Sequence, residues 1–235
     1  MKISPKNFGP GHGLFWAFCA MGLLLLPRQA RGQDPLRFEK EVTALLSRTD
    51  SLWNRQQPAI VFTGSSSIRM WNTLSRDFPG VQILNTGFGG SQASDLLHYL
   101  EALVLQYSPA QVFIYEGDND LAEGKRPRQV LKTLETLTMQ IQTEHPRTPV
   151  VWIAAKPSIS RWHLRGKYRR FNRKLERRAR KSPAVDFANV WHPMLNGRRL
   201  KTGLFIEDGL HMNAEGYRIW REVIGLKLKT TDSTN

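Results

Sequence analysis

Short apolar runs alternate with amphipathic stretches along most of this chain. The apolar runs, which predict buried β-strands, lie at 59–64, 81–85, 111–117, 150–156 and 184–187. Runs of this length are typical of strands that are covered on both faces of a sheet.

The stretches between these runs have apolar residues at helical spacing. The predicted helices span about 35–56, 91–106, 128–144, 164–181 and 213–227. Asn213 is expected to be the N-cap of the last helix. Strands that alternate with helices predict a parallel sheet with helices on both faces, a three-layer α/β/α arrangement that binds ligands at the carboxyl ends of its strands.

The N-terminal segment does not follow this pattern. Lys2 and Lys6 precede an apolar run over 14–26, and small residues follow it. This order is typical of a secretory signal peptide, and a run of about 13 residues is short for a hydrocarbon core of about 30 Å. We expect residues 1–32 to be a signal peptide, with an uncleaved anchor as the alternative, and 33–235 to be a single domain that is secreted or periplasmic. No other transmembrane segment is expected.

The chain that would remain after removal of residues 1–32 is strongly basic and contains no cysteine. The whole chain has a formal net charge of +14. Residues 1–32 contain four basic residues and no acidic one, so the remainder has a net charge of +10 (14 − 4). Cys19 is the only cysteine, so the mature chain would contain neither a thiol nor a disulfide. A basic surface of this kind attracts anionic partners.

A basic stretch over 161–181 has the composition of a nucleic-acid-binding surface. Its apolar residues recur at helical spacing, which predicts that one helix face packs on the sheet while the charges are solvated. We therefore expect no specific nucleic acid, but we expect that the basic face could bind an anionic surface.

Glycine, serine and asparagine residues cluster directly after three of the predicted strands. The sequences GSSSI, GFGGS and GDND lie at 64–68, 87–91 and 117–120. Because the carboxyl ends of parallel strands meet at one edge, these loops should converge. A serine at a strand-to-helix turn, together with glycine N–H groups and an asparagine amide, is what acyl transfer requires.

A serine nucleophile also needs a histidine base that a carboxylate orients. Asp208 and His211 are three residues apart, just before the last predicted helix. This spacing lets the carboxylate reach the near ring nitrogen while the far nitrogen faces the serine.

Acidic residues alternate in the loop after the third strand. Glu116, Asp118 and Asp120 surround Gly117 and Asn119, and several carboxylates could bind a hard cation. The spacing lacks the regular ligand pattern of a calcium loop, so we expect no metal. Asp118 and Asp120 are expected to cap the following segment or to hold Asn119 in place.

Four sequence blocks then indicate a family. In chain order, FTGSSSI, NTGFGGS, YEGDND and EDGLHMN resemble the motif blocks of the GDSL/SGNH hydrolases, and the resemblance covers most of the chain after residue 32. It implies a three-layer α/β/α sandwich with a five-stranded parallel, flavodoxin-like sheet. It also implies a serine esterase that needs no cofactor.

The resemblance assigns the catalytic roles. Ser66 takes the place of the nucleophile, His211 that of the base, and Asp208 that of the carboxylate that orients the base. This chain has Gly-Ser-Ser where the family usually has Gly-Asp-Ser, so Ser65 remains the alternative nucleophile.

The resemblance also implies an oxyanion hole formed by Ser66, Gly90 and Asn119. The polar loops after the strands favour short acyl esters, acetyl above all, on a carbohydrate or a similar polar alcohol, either small or polymeric. Trp71 and Trp162 could stack on a sugar, with burial in the core as the alternative. The alternative functions are a lipase or lysophospholipase-type esterase and a non-catalytic polyanion-binding domain.

Overall fold

A parallel sheet lies at the centre of the protein. The computed structural model describes Met1 and residues 34–229. Its strands are β1 (Ala59–Gly64), β2 (Gln82–Gly87), β3 (Gln111–Tyr115), β4 (Val150–Ile153) and β5 (Val185–Ala188). They lie in the order β2-β1-β3-β4-β5, the flavodoxin-like order, and every residue of β1, β3 and β4 is buried. The predicted five-stranded parallel sheet is confirmed.

Helices cover both faces of this sheet. They are α1 (Glu39–Leu52), α2 (Ser66–Arg69), α3 (Leu74–Asp77), α4 (Ala93–His98), α5 (Leu100–Leu103), α6 (Asp118–Ala122), α7 (Pro127–Glu144), α8 (Arg165–Ala179) and α9 (Ala214–Gly225). A short hairpin pairs β6 (Leu195–Asn196) with β7 (Arg199–Leu200). Asn213 is the N-cap of α9, as predicted, and its side chain accepts the backbone N–H groups of Glu215 and Gly216.

Two predicted helices differ from the structure. The segment 91–106 is broken at Tyr99, whose hydroxyl donates to the carbonyl oxygen of Pro35, a distant contact that local spacing does not reveal. The first helix ends at Leu52 instead of 56, and Leu52 is 71% exposed. The chain leaves the helix there because the Gln82 side chain hydrogen-bonds the backbone that follows.

Residues 1–32, including Cys19, fall outside the described part of the chain apart from Met1, so the signal peptide stays a prediction. Between residues 34 and 229, the structure has no helix with the length and apolar character needed to span a membrane. The described residues from Asp34 onward belong to one compact unit.

Three strands end side by side at the edge where the polar loops emerge. Gly64 is in register with Gly87 of β2 and with Tyr115 of β3. Its φ is +122°, and an added Cβ would collide with the carbonyl oxygen of Tyr115, so only glycine fits here. The loops that follow β1, β2 and β3 therefore leave the sheet next to one another.

Candidate active site

Ser66 is the first residue of α2, directly after the turn at the end of β1. It is partly exposed, whereas Ser65 and Ser67 are each only 2% exposed. Its Oγ lies 2.8 Å from Nε2 of His211. This geometry favours Ser66 over Ser65 as the predicted nucleophile.

Asp208 and His211 lie on one turn before α9. Oδ2 of Asp208 is 2.5 Å from Nδ1 of His211, and Oδ1 accepts the backbone N–H groups of Leu210 and His211. Burial acts to raise the pKa of Asp208, but the hydrogen bonds from His211 and Leu210 outweigh it and lower the pKa to about 2. An ionised carboxylate thus orients the imidazole towards Ser66, and the predicted three residues form one hydrogen-bonded line.

The predicted oxyanion-hole residues lie on neighbouring loops. Nδ2 of Asn119 donates to the carbonyl oxygen of Ser91 at 2.8 Å, which joins its loop to the one that contains Gly90. Gly90 is exposed and has a φ of +73°. Among the described residues, no acceptor binds the backbone N–H of Gly90 or of Ser66. These two groups and the second N–H of Asn119 remain available to an oxyanion.

Arg161 is a site residue that the sequence prediction missed. Its Nη2 donates to Oδ1 of Asn119 at 2.9 Å, and its Nη1 donates to Oδ1 of Asp118 at 2.6 Å. The prediction of a solvated side chain at this end of the basic stretch is wrong, because Arg161 is 19% exposed and reaches the loop after β3. The one sequence signal is its position in the loop after β4, which opens at the same edge of the sheet.

Lys156 is a second residue that local spacing did not identify. Its side chain is fully buried, and Nζ donates to the carbonyl oxygen of Leu210 at 2.7 Å. Nζ also lies 3.6 Å from Oδ2 of Asp118, which accepts the hydroxyl of Tyr115. Burial acts to raise the pKa of Asp118, but the charges of Lys156 and Arg161 lower it. Asp118 is therefore an ionised counter-ion between the loop of His211 and that of Asn119.

The three alternating carboxyl groups do not converge. Asp118 faces the cations described above, whereas Asp120 accepts from Nζ of Lys125 and from the backbone N–H of Ala93. Within the described ranges, no group of three His, Cys, Asp or Glu side chains could hold a metal ion. The expectation that Asp120 caps the following segment is wrong, because it binds the first N–H of α4 from the neighbouring loop. Asp118 holds Asn119 indirectly, through Arg161.

Glu116 is the most isolated of these carboxyl groups. It is 1% exposed, Oε1 accepts the hydroxyl of Ser91 at 2.6 Å, and Oε2 has no hydrogen-bond partner among the described residues. Burial and the nearby charge of Asp120 raise the pKa of Glu116 well above its ordinary value of 4.5. Folding therefore favours the protonated form of Glu116 more than an exposed position would.

Raising the pH should destabilise the wild-type protein more steeply than the Glu116→Gln variant. A carboxyl group with a raised folded pKa contributes stability below its ordinary value of 4.5, and this contribution is lost as the pH rises towards the folded pKa. The difference in unfolding free energy should change by up to about 1.4 kcal/mol per pH unit in that window. Urea unfolding between about pH 5 and 8 measures it, and Glu123→Gln, at an exposed carboxylate, is the control. A difference that is constant with pH would contradict a raised pKa of Glu116.

The aromatic residues near the loops differ in exposure. Trp71 is 1% exposed and packs against Phe62 and Trp220, so of its two alternatives the structure supports burial in the core and not stacking on a sugar. Trp162 is partly exposed and stacks on Trp191 with ring centroids 6.3 Å apart. Of the two tryptophans, only Trp162 presents a surface that a sugar could reach.

Comparisons with known proteins agree with this fold. The model of the GDSL-like lipase/acylhydrolase family matches residues 49–219, which confirms the resemblance of the four motifs. No curated protein matches the sequence.

Solved structures share the fold at low sequence identity. A candidate acylhydrolase from Bacteroides fragilis is 20% identical with a TM-score of 0.69, covering 79% of this chain and 94% of that one. A GDSL-like lipase from Bacteroides thetaiotaomicron is 22% identical with a TM-score of 0.67, covering 83% and 96%. A carbohydrate esterase family 3 protein from Talaromyces cellulolyticus is 16% identical with a TM-score of 0.58, covering 72% and 95%.

Proposed function

This chain belongs to the GDSL-like lipase/acylhydrolase family, and from that premise we propose that it hydrolyses carboxylic esters through a covalent acyl-serine intermediate. The observation that carries the proposal is the 2.8 Å distance between Oγ of Ser66 and Nε2 of His211. A side-chain carboxylate on the other ring nitrogen completes the arrangement that activates a serine hydroxyl.

The proposed reaction has two steps. Oγ of Ser66 bonds to the ester carbonyl carbon while Nε2 of His211 takes its proton, and the same proton then leaves with the alcohol. Water next attacks the acyl-serine, His211 again accepts the proton, and the acid is released as Ser66 regains its hydrogen. The ionised Asp208 stabilises the imidazolium that forms in each step.

Charge develops on the carbonyl oxygen in both steps. The backbone N–H groups of Ser66 and Gly90 and the side-chain amide of Asn119 are the donors proposed to bind it. Unpaired donors that are fixed before the reaction lower the barrier more than donors that must reorient. This requirement fits loops that leave adjacent strands of one rigid sheet.

We propose that the substrates carry short acyl groups, acetyl above all, on a carbohydrate or similar polar alcohol. Phe88, in the loop after β2, is fully buried and cannot line an acyl groove. Next to the turn that contains His211, Ile159 and Ile206 are 44% and 42% exposed, an apolar surface that suits a small acyl group. One protein of the same fold is a carbohydrate esterase, which agrees with this substrate class.

A polymer that carries such esters would meet a strongly basic helix. We define the basic face as five exposed residues, four in α8 and one just after it: Arg169, Arg170, Arg173, Arg177 and Lys181. None of them forms a salt bridge to another described residue. Helix α8 begins four residues after Arg161, so the basic face leads away from the proposed oxyanion hole. Its field would attract an anionic polymer and raise the encounter rate.

Rates on p-nitrophenyl acetate, butyrate, octanoate and palmitate should fall as the acyl chain lengthens.

Deacetylation of an acetylated anionic polysaccharide should also slow as salt rises, because screening weakens long-range attraction. Hydrolysis of neutral p-nitrophenyl acetate should not respond to salt in this way, which makes it the internal control. A rate maximum at about eight carbons or beyond would favour the lipase alternative, and the absence of any hydrolysis would favour a binding domain.

A further inference from the structure

We propose that Arg161 is a positioning residue, which holds the side-chain amide of Asn119 in the one orientation that can bind the oxyanion. The inference rests on the proposed acyl-serine function and adds a residue that lies outside the four sequence motifs. Arg161 lies in the loop after β4, 42 residues away from Asn119 in the chain.

The two contacts of the Asn119 amide determine its orientation. A guanidinium only donates hydrogen bonds, so the atom 2.9 Å from Nη2 of Arg161 must be the amide oxygen. A carbonyl oxygen only accepts, so the atom 2.8 Å from the Ser91 carbonyl must be the amide nitrogen. A half-turn of the amide would place donor against donor and acceptor against acceptor. One N–H of Asn119 is thereby held in a fixed direction, free for substrate.

Arg161 is itself held in place. Its Nη1 lies 2.6 Å from Oδ1 of the buried Asp118, and the hydroxyl of Tyr168 donates to the same oxygen. A planar guanidinium can bind Asp118 and Asn119 with two different nitrogens, whereas a lysine ammonium is a single point of charge. Without Arg161, the bond to Ser91 would be the one hydrogen bond left on the Asn119 side chain among the described residues.

The expected kinetic effect follows from this indirect role. Removing one oxyanion donor typically reduces kcat by about 10² to 10³-fold. A donor that is present but no longer oriented should lose part of that effect, so we expect Arg161→Met to lower kcat by about 10 to 100-fold. The KM for p-nitrophenyl acetate should change by less than about twofold, because the interaction strengthens only in the transition state.

A double-mutant cycle separates positioning from a purely structural role. In an Asn119→Ala background no amide is left to orient, so adding Arg161→Met should change kcat by less than about twofold. Arg178→Gln is the matched control, because it removes an exposed arginine in the last turn of α8, whereas Arg161 precedes the first turn of that helix. Its kcat should equal that of the wild type.

Several outcomes would overturn the inference. Equal fold-losses from Arg161→Met in both backgrounds would show that Arg161 does not act through Asn119, and a rise in KM alone would indicate substrate binding. If thermal unfolding shows that Arg161→Met is not folded, Arg161→Lys, which keeps a charge beside Asp118, replaces it in the same cycle with the same expectation. An active wild type with an additive cycle refutes only this inference, whereas an inactive wild type refutes the proposed function.

Discussion

Replacing Ser66 by alanine should reduce ester hydrolysis by roughly 10⁴-fold or more while the protein stays folded. The hydroxyl is partly exposed and is bonded to His211, so its loss removes the proposed nucleophile and little packing. The measurement is kcat on p-nitrophenyl acetate, together with thermal unfolding. An organophosphate probe should label the wild type at Ser66 and leave the variant unlabelled.

The adjacent serine is the control for this result. Ser65→Ala should keep at least about a tenth of the wild-type rate, because Ser65 is buried and Nε2 of His211 bonds to Ser66 instead. The reverse pattern, in which Ser65→Ala is inactive and Ser66→Ala is active, would shift the nucleophile by one residue.

Replacing Asp208 by asparagine should lower kcat by about 10³ to 10⁴-fold. The carboxylate accepts from Nδ1 of His211, and an amide at the same place would favour the tautomer that cannot take the proton of Ser66. Because its pKa is about 2, Asp208 is ionised throughout the neutral range and the full effect should appear there.

Glu207→Gln is the matched control for Asp208→Asn. Glu207 is the neighbouring carboxylate, it is exposed, and no described residue forms an ion pair with it. The kcat of Glu207→Gln should therefore stay within about twofold of the wild-type value. A loss of less than about tenfold in Asp208→Asn would show that Asp208 does not orient the base.

The central sheet was predictable because its strands are encoded locally. The run AIVFTG matches β1 residue for residue, and every position in it is buried. The α9 cap was predictable for the same reason, since Asn213 accepts N–H groups only two and three residues ahead. The break at Tyr99 was not predictable, because it coincides with a contact to Pro35 from another part of the chain.

The sequence motifs of the site were predictable, but the residues that hold those motifs in position were not. Ser66 and His211 could be assigned because each lies in a recognisable block at the end of a strand or before a helix. Arg161 and Lys156 could not, because their partners lie 38 to 54 residues away and helical spacing reports only which residues of a segment are buried. The choice between burial and sugar stacking for Trp71 stayed open because the sequence of a short loop does not reveal how closely α9 packs against it.

The shared carboxylate of Asp118 restricts how this sequence can drift over generations. It accepts hydrogen bonds from Tyr115, Arg161 and Tyr168, and its Oδ2 lies 3.6 Å from Nζ of Lys156. A mutation that removes Asp118 leaves the charges of Lys156 and Arg161 without their counter-ion. Removing one partner of a buried ion pair typically destabilises a fold by about 3 to 5 kcal/mol. Loss of Asp118 is therefore not a neutral first step away from this arrangement. The five positions form an epistatic set, and a descendant that has lost Asp118 should also have lost the lysine at 156.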